Sequence, residues 1–112
     1  MDVVFTEESG VTKAELVGRL DTANVNDIEH RFTAGIMPKA QHTVVDLSNV
    51  TFIASLGIRM LLTTARGLAN RGAKFAMFGA TAPVQEIFET TALSDIIPIL
   101  TTEADAIAEV IG

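Results

Sequence analysis

The sequence predicts a single α/β domain, in which about five strands form a mostly parallel sheet and about four helices connect them. Two observations lead to this fold class. Short segments rich in β-branched residues alternate with longer segments whose apolar residues recur every three or four positions, as in strands alternating with amphipathic helices. The composition also fits one globular domain, since 48% of the 112 residues are apolar and 20% are charged. The element order ββαβαβαβα implies right-handed crossovers between parallel strands.

The first two strands are predicted over residues 3–7 and 12–20, with a turn at Ser9 and Gly10 between them. A helix then begins at Asp21 or Thr22 and ends near the glycine and proline of residues 35–38. Its apolar residues follow a helical spacing and form the predicted inner face: Val25, Ile28, Phe32 and Ile36.

The third strand is predicted over residues 43–47, where β-branched residues dominate. A short polar connection leads from it to a helix that begins at Ser55 and ends near Asn70, before Gly72. The helical repeat predicts a core-facing stripe of Ile58, Leu61, Leu62, Ala65, Leu68 and Ala69.

The last elements are shorter. A strand is predicted over residues 74–78, and a weak edge strand over residues 96–100, which Pro98 interrupts. The helix between them begins near Thr81 and Pro83, with the predicted inner positions Val84, Ile87, Phe88 and Thr91. The C-terminal helix begins after Thr102, with the predicted inner positions Ala104, Ile107, Ala108 and Ile111.

Composition excludes several classes of protein. Without cysteine there is no disulfide, no thiolate metal site and no cysteine nucleophile. Neither a signal peptide nor an apolar window long enough for a membrane span is present, so we expect a cytoplasmic protein without membrane insertion. The net charge of −6 and the lack of Trp and Tyr argue against a nucleic-acid surface.

The residues for a catalytic site are also missing. A serine nucleophile needs a base, but His30 lies within a predicted helix and His42 precedes a predicted strand. The glycines do not form a phosphate-binding loop, and two separate histidines are weak evidence for a metal site. We therefore expect no enzyme activity, no cofactor and no metal.

Polar residues follow the predicted strands at Asp21, Asp46 and Ser55, so these three are expected at the carboxyl edge of the sheet, where function gathers in such folds. Strand-end aspartates are also common as turn or cap residues. Ser55 is either a helix cap or a residue that is modified and recognised by a partner. Leu56 and Met60 are predicted to face solvent one turn apart, either as scattered apolar residues or as part of a docking patch.

Charge is distributed unevenly along the chain. Residues 48–84 contain no Asp or Glu but four basic residues, a charge of +4 that leaves −10 for the rest. Arg59 follows Ser55 by one helical turn, so it is able to meet an acidic partner or to pair with a phosphate on Ser55. An ordinary solvated helix face is the alternative. The basic residues are Arg59, Arg66, Arg71 and Lys74.

Three short motifs resemble the STAS domain of anti-sigma factor antagonists. That family shows Gly-x-Leu-Asp at the end of its second strand, matched by residues 18–21, and then Asp-Leu-Ser and Phe-Ile/Met-Asp-Ser-Ser/Thr-Gly, matched by residues 46–48 and 52–57. The resemblance covers essentially the whole chain and implies one STAS domain over residues 1–112. Ala54 stands where better-known members have Asp, and Leu56 where they have Ser or Thr.

The resemblance implies a partner-switching cycle. The unphosphorylated protein binds an anti-sigma factor that is also a serine kinase, phosphorylation of Ser55 breaks the complex, and a serine phosphatase resets it. A monomer or weak dimer is expected. The alternative is a STAS interaction subunit that is never phosphorylated, in a stress-signalling scaffold or a lipid transporter. The predicted partner-binding residues are Asp21, Asp46, Ser55, Leu56, Gly57, Arg59 and Met60.

Overall fold

Strands and helices follow one another in the predicted order in the computed structural model, which describes residues 1–112. The strands are β1 (Asp2–Glu8), β2 (Val11–Leu20), β3 (His42–Ile53), β4 (Phe75–Phe78) and β5 (Ile99–Leu100). The helices are α1 (Val25–Ile36), α2 (Ser55–Ala69), α3 (Ala82–Thr90) and α4 (Glu103–Ile111), and a single 3-10 turn, Leu93–Asp95, precedes β5. None of the four helices has the length and apolarity that crossing a membrane requires.

The five strands form one sheet in the order β1-β2-β3-β4-β5. Only β1 is antiparallel to its neighbour, and the other three pairs are parallel. The predicted edge position of the last strand is confirmed, but β5 has only two residues, because Ile96 and Ile97 form a turn and a bend after the 3-10 turn and Pro98 precedes the strand.

Strand β3 is longer than predicted, because residues 48–53 continue the strand and do not form a polar connection. They pair with the second half of β2 as far as the pair Leu20 and Ile53. A bulge interrupts the register after Asp46, where the Asp46 carboxylate accepts hydrogen bonds from the Ser48 backbone N–H at 2.9 Å and from the Ser48 hydroxyl at 2.5 Å. Buried Val50 and Ile53 keep the extension on the core side of the sheet.

Helices cover both faces of the sheet unequally. Helices α1, α2 and α3 pack on one face of the sheet and form with it a main core of 23 buried residues. This core includes all four predicted inner residues of α1. On the other face, Ala106 and Val110 of α4 complete a smaller cluster with Val11 and Val44. The part of this face that lies away from α4 exposes Val4 and Val17.

The predicted inner faces of the later helices were partly wrong. Helix α2 buries Gly57, Met60 and Thr64 as well as Ile58, Leu61 and Leu68, while Ala69 is exposed. In α3, Thr91 is an exposed C-terminal cap residue. In α4, the buried residues are Ala106 and Val110, and Ile111 is 62% exposed. Small residues such as Gly57 and Ala106 are buried because they let a helix approach the sheet closely, which a count of large apolar residues overlooks.

Candidate partner-docking site

One backbone hydrogen bond joins two of the three motifs, residues 18–21 and residues 52–57. The Ala54 N–H, at the junction between β3 and α2, donates to the Leu20 carbonyl oxygen at 2.8 Å. Asp21 and Ser55, the residues that follow these two, are therefore brought together at the carboxyl edge of the sheet, as expected from the parallel pairing of β2 and β3.

The Asp21 carboxylate is occupied by the turn that leads into α1. Its Oδ1 atom accepts hydrogen bonds from the backbone N–H groups of Ala23 and Asn24, at 3.0 and 3.1 Å. In return, the Asn24 side chain accepts from the Asp21 N–H at 3.1 Å and donates to the Arg19 carbonyl at 2.7 Å. Asp21 therefore fixes the loop beside Ser55, which is the turn role that the sequence left open.

Ser55 is the first residue of α2 and is exposed, but it does not cap the helix. The N-cap residue is Ala54, which offers no side-chain acceptor, and the Ser55 hydroxyl makes no hydrogen bond within the protein. The capping interpretation of Ser55 is therefore wrong. The hydroxyl is left free at a helix start, where uncompensated N–H groups and the helix dipole favour a negative charge.

Gly57 holds the start of α2 against the ends of both strands. A Cβ atom at this position would lie 2.5 Å from Leu20 Cδ2 and 3.0 Å from Ile53 Cγ2. The sequence predicted that Gly57 contacts a partner directly. Because Gly57 is buried, that prediction is wrong, and the residue has a packing role. The glycine of the helix motif and the leucine of the strand motif are thus two sides of one contact.

The expected pair of exposed apolar residues is reduced to one. Leu56 is 43% exposed, whereas Met60 is 1% exposed and lies in the main core. The expectation that Met60 faces solvent and binds a partner is therefore wrong, because α2 is rotated relative to the predicted phase. The outward line of α2 runs instead through Leu56, Arg59 and Thr63.

Asp46 lies apart from this site and is buried. It precedes the end of β3 by seven residues and lies level with Phe78 at the end of β4. At a rise of roughly 3.3 Å per residue, about 23 Å of strand separates Asp46 from the end of β3, and Ser55 lies two residues beyond that end. The expectation that Asp46 shares one edge with Ser55 is wrong, because β3 extends well beyond β4, and Asp46 instead organises the bulge through Ser48.

Helix α1 contributes residues that sequence reasoning missed. A groove of about 280 Å³ lies between α1 and α2. Its lining from α2 is Leu56, Arg59 and Thr63, and its lining from α1 is Val25, Asn26 and Glu29. The outward spacing of Asn26 and Glu29 was visible in the sequence, but only the packing of the two helices brings them to Leu56.

A second missed feature lies beside Asp21. The Arg19 guanidinium stacks over the Phe52 ring, 4.3 Å from its centroid, and Arg19 Nε lies 3.6 Å from Asp21 Oδ2. Arg19 and Phe52 are direct partners in the β2–β3 register. This cation–π contact covers part of the aromatic ring at the same edge of the sheet that carries Ser55.

The arrangement suits docking and modification. No group of three or more His, Asp or Glu side chains is placed to hold a metal ion. His30 is exposed on α1, and His42, the first residue of β3, accepts a hydrogen bond from the Lys74 N–H at 2.9 Å. The site itself offers a free hydroxyl, an exposed leucine, an exposed arginine and a groove.

Comparison with known proteins identifies the fold. A sequence model of the STAS domain matches residues 2–106. An anti-sigma F factor antagonist of Paenibacillus polymyxa is 24% identical over 110 residues, which cover 97% of this chain and 94% of the relative. The structure of an anti-sigma factor antagonist from Mycobacterium paratuberculosis matches with a TM-score of 0.89 at 24% identity, covering 99% of this chain and 94% of that one. The Bacillus cell fate determinant SpoIIAA in its phosphorylated form matches with a TM-score of 0.66 at 17% identity, covering 96% and 98%. At these identities the structural matches show the shared fold alone.

Proposed function

Because this chain belongs to the STAS domain family, we propose that it is an anti-sigma factor antagonist that is switched by phosphorylation of Ser55. In this proposal the unphosphorylated protein binds an anti-sigma factor that is also a serine kinase, and so frees the sigma factor. The name of the Paenibacillus relative supports the general activity. The observation that carries the proposal is the exposed Ser55 hydroxyl, free of hydrogen bonds, beside the exposed Leu56.

The proposed switch follows from charge and desolvation. A phosphate adds about −1.5 to −2 charges at neutral pH, and burying that charge against an apolar contact such as Leu56 carries a large desolvation penalty. The free protein tolerates the same phosphate, because it lies in solvent at the start of α2, where negative charge is favoured. Modification is thus expected to release the partner without unfolding the domain.

A serine phosphatase that returns Ser55 to its free hydroxyl completes the proposed cycle. We place the cycle in the cytoplasm, where sigma factors act, and propose that the protein works as a monomer or weak dimer. Nucleic acid is not among the proposed partners, since the net charge of −6 would repel a phosphate backbone. We propose a binding role without catalysis by this chain.

The test is a phosphorylation experiment. The protein is incubated with ATP and the purified kinase-type anti-sigma factors encoded in the same genome, and peptides are analysed by mass spectrometry. We expect one phosphate on Ser55 and none on Ser55→Ala. Ser48→Ala is the matched control, because Ser48 is also exposed but its hydroxyl is bound by Asp46. A phosphate on Ser48, Thr51 or Ser94 with Ser55 unmodified would contradict the assignment.

Ala54 favours a second candidate function, a STAS interaction subunit that is never phosphorylated, in a stress-signalling scaffold or a lipid transporter. The family acid at this position would lie next to the modified serine, and alanine removes that charge. A stable complex with the kinase together with ATP-dependent gain of mass supports the switched antagonist. A stable complex with another protein and no gain of mass supports the interaction subunit.

A further inference from the structure

The groove between α1 and α2 carries two opposite charges that do not pair with each other. Arg59 lines it from α2 and Glu29 lines it from α1, with Leu56 between Ser55 and Arg59 along the helix. The protein has four ion pairs, and neither Arg59 nor Glu29 takes part in any of them. The groove therefore presents an apolar contact together with one positive and one negative group that have no internal partner.

Apart from each other, Arg59 and Glu29 have no charged partner in their surroundings. Residues 48–84 contain no acidic residue, so neither α2, nor the end of β3 that leads into it, nor β4 after it supplies a carboxylate to Arg59. On α1, the neighbouring cation Arg31 is bound to Asp2, with 2.6 Å between Arg31 Nη2 and Asp2 Oδ1. Arg31 is therefore engaged on the β1 side of the helix, away from the groove.

We propose that this groove selects the partner at the site. It receives an apolar side chain of the anti-sigma factor against Leu56, flanked by a carboxylate that binds Arg59 and a basic group that binds Glu29. This inference rests on the proposed function and specifies the chemistry of the partner's contact segment. Charges of both signs give strong selectivity, because an anti-sigma factor with the reverse arrangement would meet two like-charge contacts in a desolvated interface.

The same geometry connects partner choice to the switch. Ser55 and Arg59 are four residues apart on α2, the spacing at which side chains on a helix meet. A phosphate on Ser55 lies one helical turn from Arg59 and competes with the partner's carboxylate for it, since an arginine–phosphate pair is a strong charge-assisted contact. Phosphorylation thus adds repulsion and also withdraws the cation that the partner uses.

The test is a charge-reversal cycle measured by calorimetry. The wild type, Arg59→Glu, Glu29→Lys and the double variant are titrated without ATP against the purified kinase-type anti-sigma factors of the same genome. Each single variant is expected to bind about tenfold or more weakly, and the double variant more weakly still, because the partner's charges are unchanged. Arg66→Glu on α2 and Glu86→Lys on α3 are matched controls outside the groove, expected within about twofold of wild type at physiological salt.

Each outcome has a separate meaning. Recovery of wild-type affinity in the double variant would overturn the proposal, because it would show that Arg59 and Glu29 serve only each other. Loss of binding in Leu56→Asp with normal binding in both charge reversals would also overturn the groove, while the proposed function would stand. Failure of the wild type to bind any of these kinases would overturn both. Rescue of Arg59→Glu by a Glu→Arg or Asp→Arg change in the partner would identify the carboxylate.

Discussion

The contact between Leu20 and Gly57 gives the sharpest test of how this fold positions Ser55. In Gly57→Ala, the new methyl group would lie 2.5 Å from Leu20 Cδ2, 2.8 Å from Leu20 Cγ and 3.0 Å from Ile53 Cγ2. Leu20 is fully buried, and in a close-packed interior it moves aside only by displacing its neighbours. Overpacking of this kind destabilises by about 1–3 kcal/mol, and the better helix propensity of alanine offsets about 1 kcal/mol. We expect a net loss of up to about 2 kcal/mol in the free energy of unfolding.

The effect of Gly57→Ala on the free energy of unfolding should change sign when Leu20 is shortened. Leu20→Ala alone removes a fully buried side chain and is expected to destabilise by about 2–5 kcal/mol. Adding Gly57→Ala in that background no longer creates a clash, so the helix gains about 1 kcal/mol from propensity and part of the cavity is filled. The two changes should therefore be coupled by about 1–3 kcal/mol, within the range seen for residues in contact.

Gly67→Ala on the same helix is the control. Its new methyl group would meet only the flexible end of Met37, at 3.0 Å from Cε, so we expect no loss or a gain of up to about 1 kcal/mol. Urea unfolding should be followed by far-ultraviolet circular dichroism, because the chain has no Trp or Tyr for fluorescence. An equal effect of Gly57→Ala in both backgrounds, or a gain like that of Gly67→Ala, would refute the close contact.

Two other predictions use single variants. Leu56 is 43% exposed, so Leu56→Asp should weaken binding of the anti-sigma factor by more than about 1 kcal/mol and leave the melting temperature unchanged. Met60 is 1% exposed, so Met60→Ala should lower the free energy of unfolding by about 2–5 kcal/mol. The Arg31 guanidinium donates a hydrogen bond to Asp2 and lowers the pKa of that carboxyl group below its ordinary value of 3.8. The ion pair therefore stabilises the folded protein at pH values above the pKa that Asp2 has in the unfolded chain, and this stabilisation is lost as the pH falls through the lower pKa of the folded state. Arg31→Gln should raise the pKa of Asp2 in an NMR titration and reduce the loss of stability in acid.

The sequence predicted helix α1 better than helix α2, and the difference has a physical cause. In α1 the four apolar inner residues stand out against polar and charged neighbours, which fixes the rotation of the helix. In α2 only Arg59 and Arg66 are charged among 15 residues, and the others are apolar, small or hydroxylated. Because the faces of α2 differ so little in polarity, its rotation about its own axis is set by close approach to the sheet, and the face that carries Gly57 permits that approach.

The extension of β3 was missed for a related reason. Residues 48–53 include polar residues that are typical of a connection, but every third position, Val50 and Ile53, is buried. The bulge at Asp46 changes the register with β2, so the strand does not keep a strict two-residue alternation. A pattern based on that alternation stops at the bulge, and this is why Asp46 was predicted at a strand end.

The candidate site combines features that the sequence specifies locally with one that only tertiary packing creates. Ser55, Leu56 and Arg59 lie on one short segment of α2 and were recognisable as a motif, whereas Glu29 joins them because α1 and α2 pack side by side over the sheet. Leu20 and Gly57 fix the start of α2 from below, so the side chains above it are set in position without taking part in the core. A phosphate on Ser55 would therefore break no hydrogen bond of the fold, and its whole effect would fall on the binding surface. This separation between the contact that holds the helix and the residues proposed to face the partner is what the proposed reversible switch requires.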